Sequence, residues 1–194
     1  MVREIFRKES STSVTNYTSI GFKKAELDKA LFSEIIDFYS QNKNEEKKER
    51  IDGNFVYIPD SKEEASKLIE LPRELKEKVH TTLKEPLEKW SNTSLDATFV
   101  YGIRVYQKGA VLVPHKDREE THIISAIINI DQEINEDWPL IIEDHFYRKH
   151  ELTLKPGEVL YYESAKLLHG RPIPLNGKSY TNIFCHFMPE KNHH

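Results

Sequence analysis

Residues 97–130 read ATFVYGIRVYQKGAVLVPHKDREETHIISAIINI. β-Branched and aromatic residues come in short bursts, each closed by Gly, Pro, Asp or a charged pair, which is the texture of strands separated by turns. The texture continues, and strands are expected at about 98–107, 111–115, 122–130, 139–143, 150–154, 158–162, 167–172 and 179–187. Eight strands in a row with no helix between them imply an antiparallel sandwich or barrel. Upstream the period changes. Leu27, Leu31, Ile35, Phe38 and Tyr39 recur at steps of three and four and predict a helix over Ala25–Tyr39. Asp60-Ser61-Lys62-Glu63 has the pattern of a capped helix start and predicts a second helix to about Glu70. Leu75, Val79, Leu83, Leu87 and Trp90 predict a third over Pro72–Ser91. The expected class is α+β in a single domain over 1–194, with 1–96 as helical support and 97–190 as the β-barrel core.

Composition narrows the chemistry. The chain has 194 residues and a net charge of −4. An acidic balance is a poor match to a general nucleic-acid binder, so no nucleic-acid partner is expected. Mean hydropathy is −0.64, and no apolar run approaches the ~18–20 residues of a membrane span, so no membrane partner is expected either. The opening residues have no apolar core of a secretory signal, which makes the cytoplasm the default compartment. The one cysteine, Cys185, excludes an internal disulfide and a cysteine-based zinc site. Metal ligation would fall to Asp, Glu and the 9 His.

Two short stretches stand out among those histidines. In Pro114-His115-Lys116-Asp117 strand alternation puts His115 and Asp117 on one face. Leu168-His169-Gly170-Arg171-Pro172 adds a second His on a late strand of the same region. Two His and one carboxylate make the facial triad of non-haem Fe(II) sites, which leaves coordination positions open. His80, His122, His145, His150 and His186 are read as ordinary core or surface histidines. Arg171, two residues after His169, is sent to the same inner face, where a buried guanidinium needs an anion. Lys178 opens the last strand after a Leu-Asn-Gly turn and offers a second cation for a carboxylate.

The order of these pieces resembles the catalytic core of the prolyl 4-hydroxylase-like 2-oxoglutarate/Fe(II) dioxygenases. The matching stretches are Val105-Tyr106-Gln107-Lys108-Gly109, Pro114-His115-Lys116-Asp117, Leu154-Lys155-Pro156-Gly157-Glu158, Tyr161-Tyr162-Glu163-Ser164, His169-Gly170-Arg171-Pro172 and Asn176-Gly177-Lys178. The resemblance implies a double-stranded β-helix, a jelly-roll (cupin-like) barrel with helices on one side. It implies metal-ligand and catalytic roles for His115, Asp117 and His169, and binding of the 2-oxoglutarate C5 carboxylate by Lys178. It also implies a co-substrate contact from Tyr106. The implied cofactors are Fe(II), 2-oxoglutarate and O₂, with ascorbate (vitamin C) keeping the iron reduced. The implied reaction is hydroxylation of an unactivated C–H, with a prolyl residue of a peptide or protein as the favoured substrate. A small molecule is the runner-up.

The chain departs from the family pattern in places. Leu112 stands where a second tyrosine is usual, Trp138-Pro139-Leu140 replaces a Gly-Gly pair, and Ser179-Tyr180 follows Lys178 in place of a tryptophan. The segments 1–20 and 40–60 are candidates for loops over the mouth of the barrel. Two other classes stay open on the sequence. One is a non-oxidative cupin-like metalloenzyme using the same triad. The other is a non-catalytic barrel that binds a ligand.

Overall fold

The computed structural model describes residues 15–51 and 53–191, so most of the Ser/Thr-rich opening stretch lies outside the described residues. In chain order the elements are β1 (Phe22–Glu26), α1 (Lys29–Asn42), β2 (Lys47–Lys48), β3 (Val56–Tyr57), β4 (Ser66–Ile69), α2 (Arg73–Ser91), β5 (Leu95–Val100), β6 (Ile103–Gln107), β7 (Val111–His115), β8 (Ile124–Ile134), β9 (Leu140–Glu143), β10 (Lys149–Leu152), β11 (Glu158–Tyr162), β12 (His169–Arg171) and β13 (Gly177–Pro189). They form two antiparallel sheets. The larger runs β1-β11-β8-β13-β6-β4-β2, with β5 also paired to β13, and the smaller runs β10-β9-β12-β7-β3. This is the double-stranded β-helix the sequence implies.

Alternation along two long strands explains how the larger sheet divides its labour. Ile124, Ala126, Ile128 and Ile130 of β8 join Ile183, Cys185 and Phe187 of β13 in the core shared with the helices. The residues between them, including Ile127, Asn182, Phe184 and His186, face a cavity on the other side. The helices cover the first face. Leu75, Val79, Leu83 and Leu87 give α2 one buried stripe, and Leu31, Ile35 and Tyr39 do the same for α1. Each such side chain contributes about 2 kcal/mol of burial. The smaller sheet closes the cavity opposite.

The helices begin and end where local chemistry dictates. Asp28 caps α1 by accepting from Leu31 N at 2.9 Å. Pro72 precedes α2, and Asn92, at φ 51°, ends it in the left-handed region. Three expectations are corrected. The first helix starts at Lys29 rather than Ala25, because Phe22–Glu26 pairs along β11 as an added strand. No helix runs from Asp60 to Glu70. There Ser61 Oγ accepts from Glu63 N at 3.1 Å, which closes a local turn, and Ser66–Ile69 pairs with β6. The strand expected over 98–107 is two strands, broken where Tyr101 N turns to donate to Phe184 O. The first 96 residues therefore supply strands to the larger sheet as well as helices to its back.

Candidate metal centre

β7 and β12 are antiparallel neighbours, and His169 lies directly opposite His115. Their rings sit 4.5 Å apart. β7 ends at His115, and the chain beyond it is held by Asp117 N donating to Ser164 O at 3.0 Å. This brings the Asp117 carboxylate alongside both rings, with Oδ1 at 3.3 Å from His115 Nε2 and 3.7 Å from His169 Nε2. All three ligand atoms lie within 4.8 Å of one another, a group that can hold one metal ion. The strand ends at His115, as expected from the sequence, and Asp117 stands just past it, where the three residues converge.

The tautomers are fixed by the backbone. His115 Nδ1 faces Val113 O at 2.7 Å, and His169 Nδ1 faces Leu167 O at 2.8 Å. A carbonyl only accepts, so each Nδ1 carries the proton and each Nε2 turns its lone pair to the shared point. Burial outweighs the attraction of Asp117 and pushes the His169 pKa down to about 4, which keeps the ring neutral and able to ligate.

The two strands must come unusually close. A Cβ on Gly170 would meet Pro114 Cα and N at 2.7 Å and Leu112 O at 2.9 Å. Only glycine fits between the two ligand-bearing strands.

The centre opens on a cavity of about 550 Å³. Leu112, Ile127, Leu140 and Tyr162 form apolar parts of its wall. Arg171 also lines it and is 1% exposed. Its guanidinium lies 4.7 Å from the Trp138 ring centre and 4.6 Å from that of Tyr180. Nη1 donates to Trp138 O, while Nη2 is buried with no hydrogen-bond partner among the described residues. Asn182 lines the same cavity, and its Nδ2 is likewise buried without a partner. Tyr106 is fully buried and lines the cavity, its hydroxyl accepting from Arg104 Nη1 at 3.3 Å.

Lys178 is a correction. Gly177 pairs with Ile134 and Ser179 with Glu133, so Lys178 is the extra residue of a bulge. Its side chain is 76% exposed and pairs with Glu133 at 3.1 Å. It does not reach the cavity, whereas Arg171, the other cation singled out in the sequence, does.

Several cavity residues had no site role in the sequence reading, among them His122, His186 and Arg104. The His122 and His186 rings lie 3.7 Å apart, tilted by 35°, and both line the cavity. His186 lies two places from Phe184 and four from Asn182 on the inward face of β13, so strand parity was the signal available. The Ser125–Ser164 hydroxyl pair anchors it, with Ser125 Oγ 2.6 Å from His186 Nδ1. Arg104 was also passed over. It meets the buried Glu49 carboxylate at 2.8 Å, and Glu49 takes a second bond from Ser66. Burial opposes its charge, but Tyr106 and Glu49 outweigh that and raise its pKa.

No protein-family model and no curated protein matches the chain in sequence. Solved structures do match in shape. A prolyl-4-hydroxylase from Pseudomonas putida superposes with a TM-score of 0.61 at 10% identity, over 89% of this chain and 95% of that one. A prolyl hydroxylase from Trichoplax adhaerens, in complex with a hypoxia-inducible-factor peptide fragment, gives 0.62 at 12% identity over 86% and 83%. HygX from Streptomyces hygroscopicus, with nickel, 2-oxoglutarate and hygromycin B bound, gives 0.61 at 15% identity over 88% and 83%. The chain thus has the double-stranded β-helix fold of the prolyl 4-hydroxylases and related 2-oxoglutarate/Fe(II) oxygenases.

Proposed function

We propose that the protein is a 2-oxoglutarate- and Fe(II)-dependent dioxygenase that hydroxylates an unactivated C–H, with a prolyl residue of a peptide as substrate. The observation that carries the reading is the pairing of an open His-His-Asp centre with a cavity wall holding buried donors that have no acceptor. Two imidazoles and one carboxylate suit Fe(II). The unpartnered Nη2 of Arg171 and Nδ2 of Asn182 suit a carboxylate, since a buried donor left unmade costs about 1–3 kcal/mol.

His115 Nε2, His169 Nε2 and Asp117 Oδ1 would hold the metal, aimed by the carbonyls of Val113 and Leu167. Arg171 would bind the far carboxylate of 2-oxoglutarate, its guanidinium held in advance against Trp138 and Tyr180. This is the role the family resemblance gave to Lys178. Tyr106 and Asn182 would orient the same ligand from β6 and β13. Leu112, Ile127 and Leu140 keep water from the inner wall. When bound, iron, 2-oxoglutarate and O₂ supply the oxidising chemistry, with ascorbate as reductant for stray oxidised metal.

The Trichoplax neighbour, bound to a peptide, supports a peptide substrate. HygX, bound to hygromycin B, supports the second reading, a small-molecule substrate in the same site. Anaerobic addition of Fe(II) and then 2-oxoglutarate tests the class. A weak visible charge-transfer band is expected with the intact protein and none with His115→Ala. Absence of the band in the intact protein would favour a non-oxidative metalloenzyme. Succinate release with proline-containing peptides against small molecules then separates the two substrate readings.

A further inference from the structure

The charges lining the cavity do not balance. Five cationic side chains face it, Arg50, Arg104, Lys116, Arg118 and Arg171, against one carboxylate, Asp117. Arg104 is neutralised by Glu49 behind it. On the reading proposed above, Asp117 belongs to the metal and Arg171 to 2-oxoglutarate. Arg50, Lys116 and Arg118 are left at the opening, all three exposed. Arg50 comes from the segment before β3, while Lys116 and Arg118 flank Asp117. The cations therefore come from two separate segments, which favours an extended ligand over one compact anion.

Aromatic rings stand at the same opening. Phe55 is 39% exposed and lies 5.1 Å from the His115 ring. Phe99 is 44% exposed and stacks on His122 at 6.4 Å with 29° between the planes. Flat apolar surface beside the metal centre fits a small apolar reacting residue.

We infer that the substrate is an acidic peptide segment, its reacting residue seated beside Phe55 and Phe99 and its neighbouring Asp or Glu side chains paired with Arg50, Lys116 and Arg118. This deepens the function proposed above and rests on it for the use made of Asp117 and Arg171. A nucleic acid is the other polyanion to weigh, and two observations disfavour it. The chain carries a net charge of −4. The adjoining groove, which shares Ile51 and Val56 with the cavity, sets Asp60, Glu63 and Glu64 against Lys48 and Lys62, and Lys48 is already paired with Glu64 at 3.5 Å. A strand of regularly spaced phosphates running that way finds no surplus of cations.

Fluorescence anisotropy tests the inference without turnover. The probes are a labelled nine-residue peptide with Pro at its centre and Asp or Glu around it, its Asn/Gln counterpart, its Lys counterpart and a labelled octathymidylate. The acidic peptide is expected to bind about tenfold tighter than its amide counterpart, with an affinity that falls as salt rises. Arg50→Glu and Arg118→Glu are each expected to weaken it about fivefold or more. Lys178→Glu makes the same charge change outside the cavity and is expected to leave it unchanged. Equal binding of the amide peptide, equal loss in Lys178→Glu or tighter binding of octathymidylate would each overturn the inference. The charge-transfer band separates the two proposals. A band without acidic-peptide preference sinks this inference alone, and acidic-peptide binding without a band sinks the oxygenase reading.

Discussion

Arg104 and Arg171 both line the cavity, and both lie against aromatic rings, yet only Arg104 has a carboxylate of its own. Its guanidinium meets Glu49, whose side chain is fully buried. Arg171 meets a backbone carbonyl with one nitrogen and nothing with another. A buried cation needs an anion, so the first site is complete within the protein and the second awaits one. On the function proposed above, the difference separates a cation that holds the barrel together from one that would serve a ligand, although both lie in the wall of one cavity.

The largest effect is expected from breaking the complete site. Glu49→Gln leaves Arg104 charged and unpaired in the interior, and the expected loss is about 3–5 kcal/mol of stability. Chemical denaturation reads it, and a loss under about 1 kcal/mol would mean that Arg104 is not committed to Glu49. Arg171→Met tests the incomplete site. It keeps much of the packing against Trp138 and Tyr180 and removes the donors. Here 2-oxoglutarate affinity is expected to fall roughly 30- to 150-fold, the equivalent of about 2–3 kcal/mol for a charged hydrogen bond. Stability is expected to change by less than about 1 kcal/mol. Isothermal titration of the metal-loaded protein and a melt distinguish the two quantities.

Gly170→Ala sharpens the comparison from the backbone side. The added methyl must push β12 from β7 and so shift His169 away from His115. Metal affinity is expected to drop about tenfold or more, in the range of misplaced ligand support. Metal titration followed by competition with a chelator measures it. The smallest effect belongs to Lys178→Ala. That exposed pair with Glu133 is expected to contribute about 0–1 kcal/mol to stability and nothing to 2-oxoglutarate affinity. A tenfold loss of affinity would return the carboxylate role to Lys178.

Much of this was legible in the chain. The alternation of β8 and β13 and the stripes of the helices come from burial, which composition records directly. His115, Asp117 and His169 were readable because ligand type and order survive without coordinates. Two- to four-residue strands such as β2, β3 and β4 were not, since their pairing partners lie far along the chain. Lys178 took its role from the family resemblance alone, and the bulge that holds it outside the cavity leaves no mark in the sequence. His122 and His186 were passed over because a lone histidine says little until its neighbours in space are known. The incompleteness of Arg171 lies in an absent partner, and only coordinates reveal it.

The hydrogen bonds that aim His115 and His169 reach only two residues back along the chain, to Val113 within β7 and to Leu167 just ahead of β12. Such local bonds are independent of an ion, so the proposed centre is expected to keep its shape when the metal is removed. A chelator should strip the metal from a barrel that stays folded, and another divalent ion should take its place without a refolding step. Loading a redox-inert ion would then let a substrate complex be held in air, unreacted, for as long as it takes to observe it.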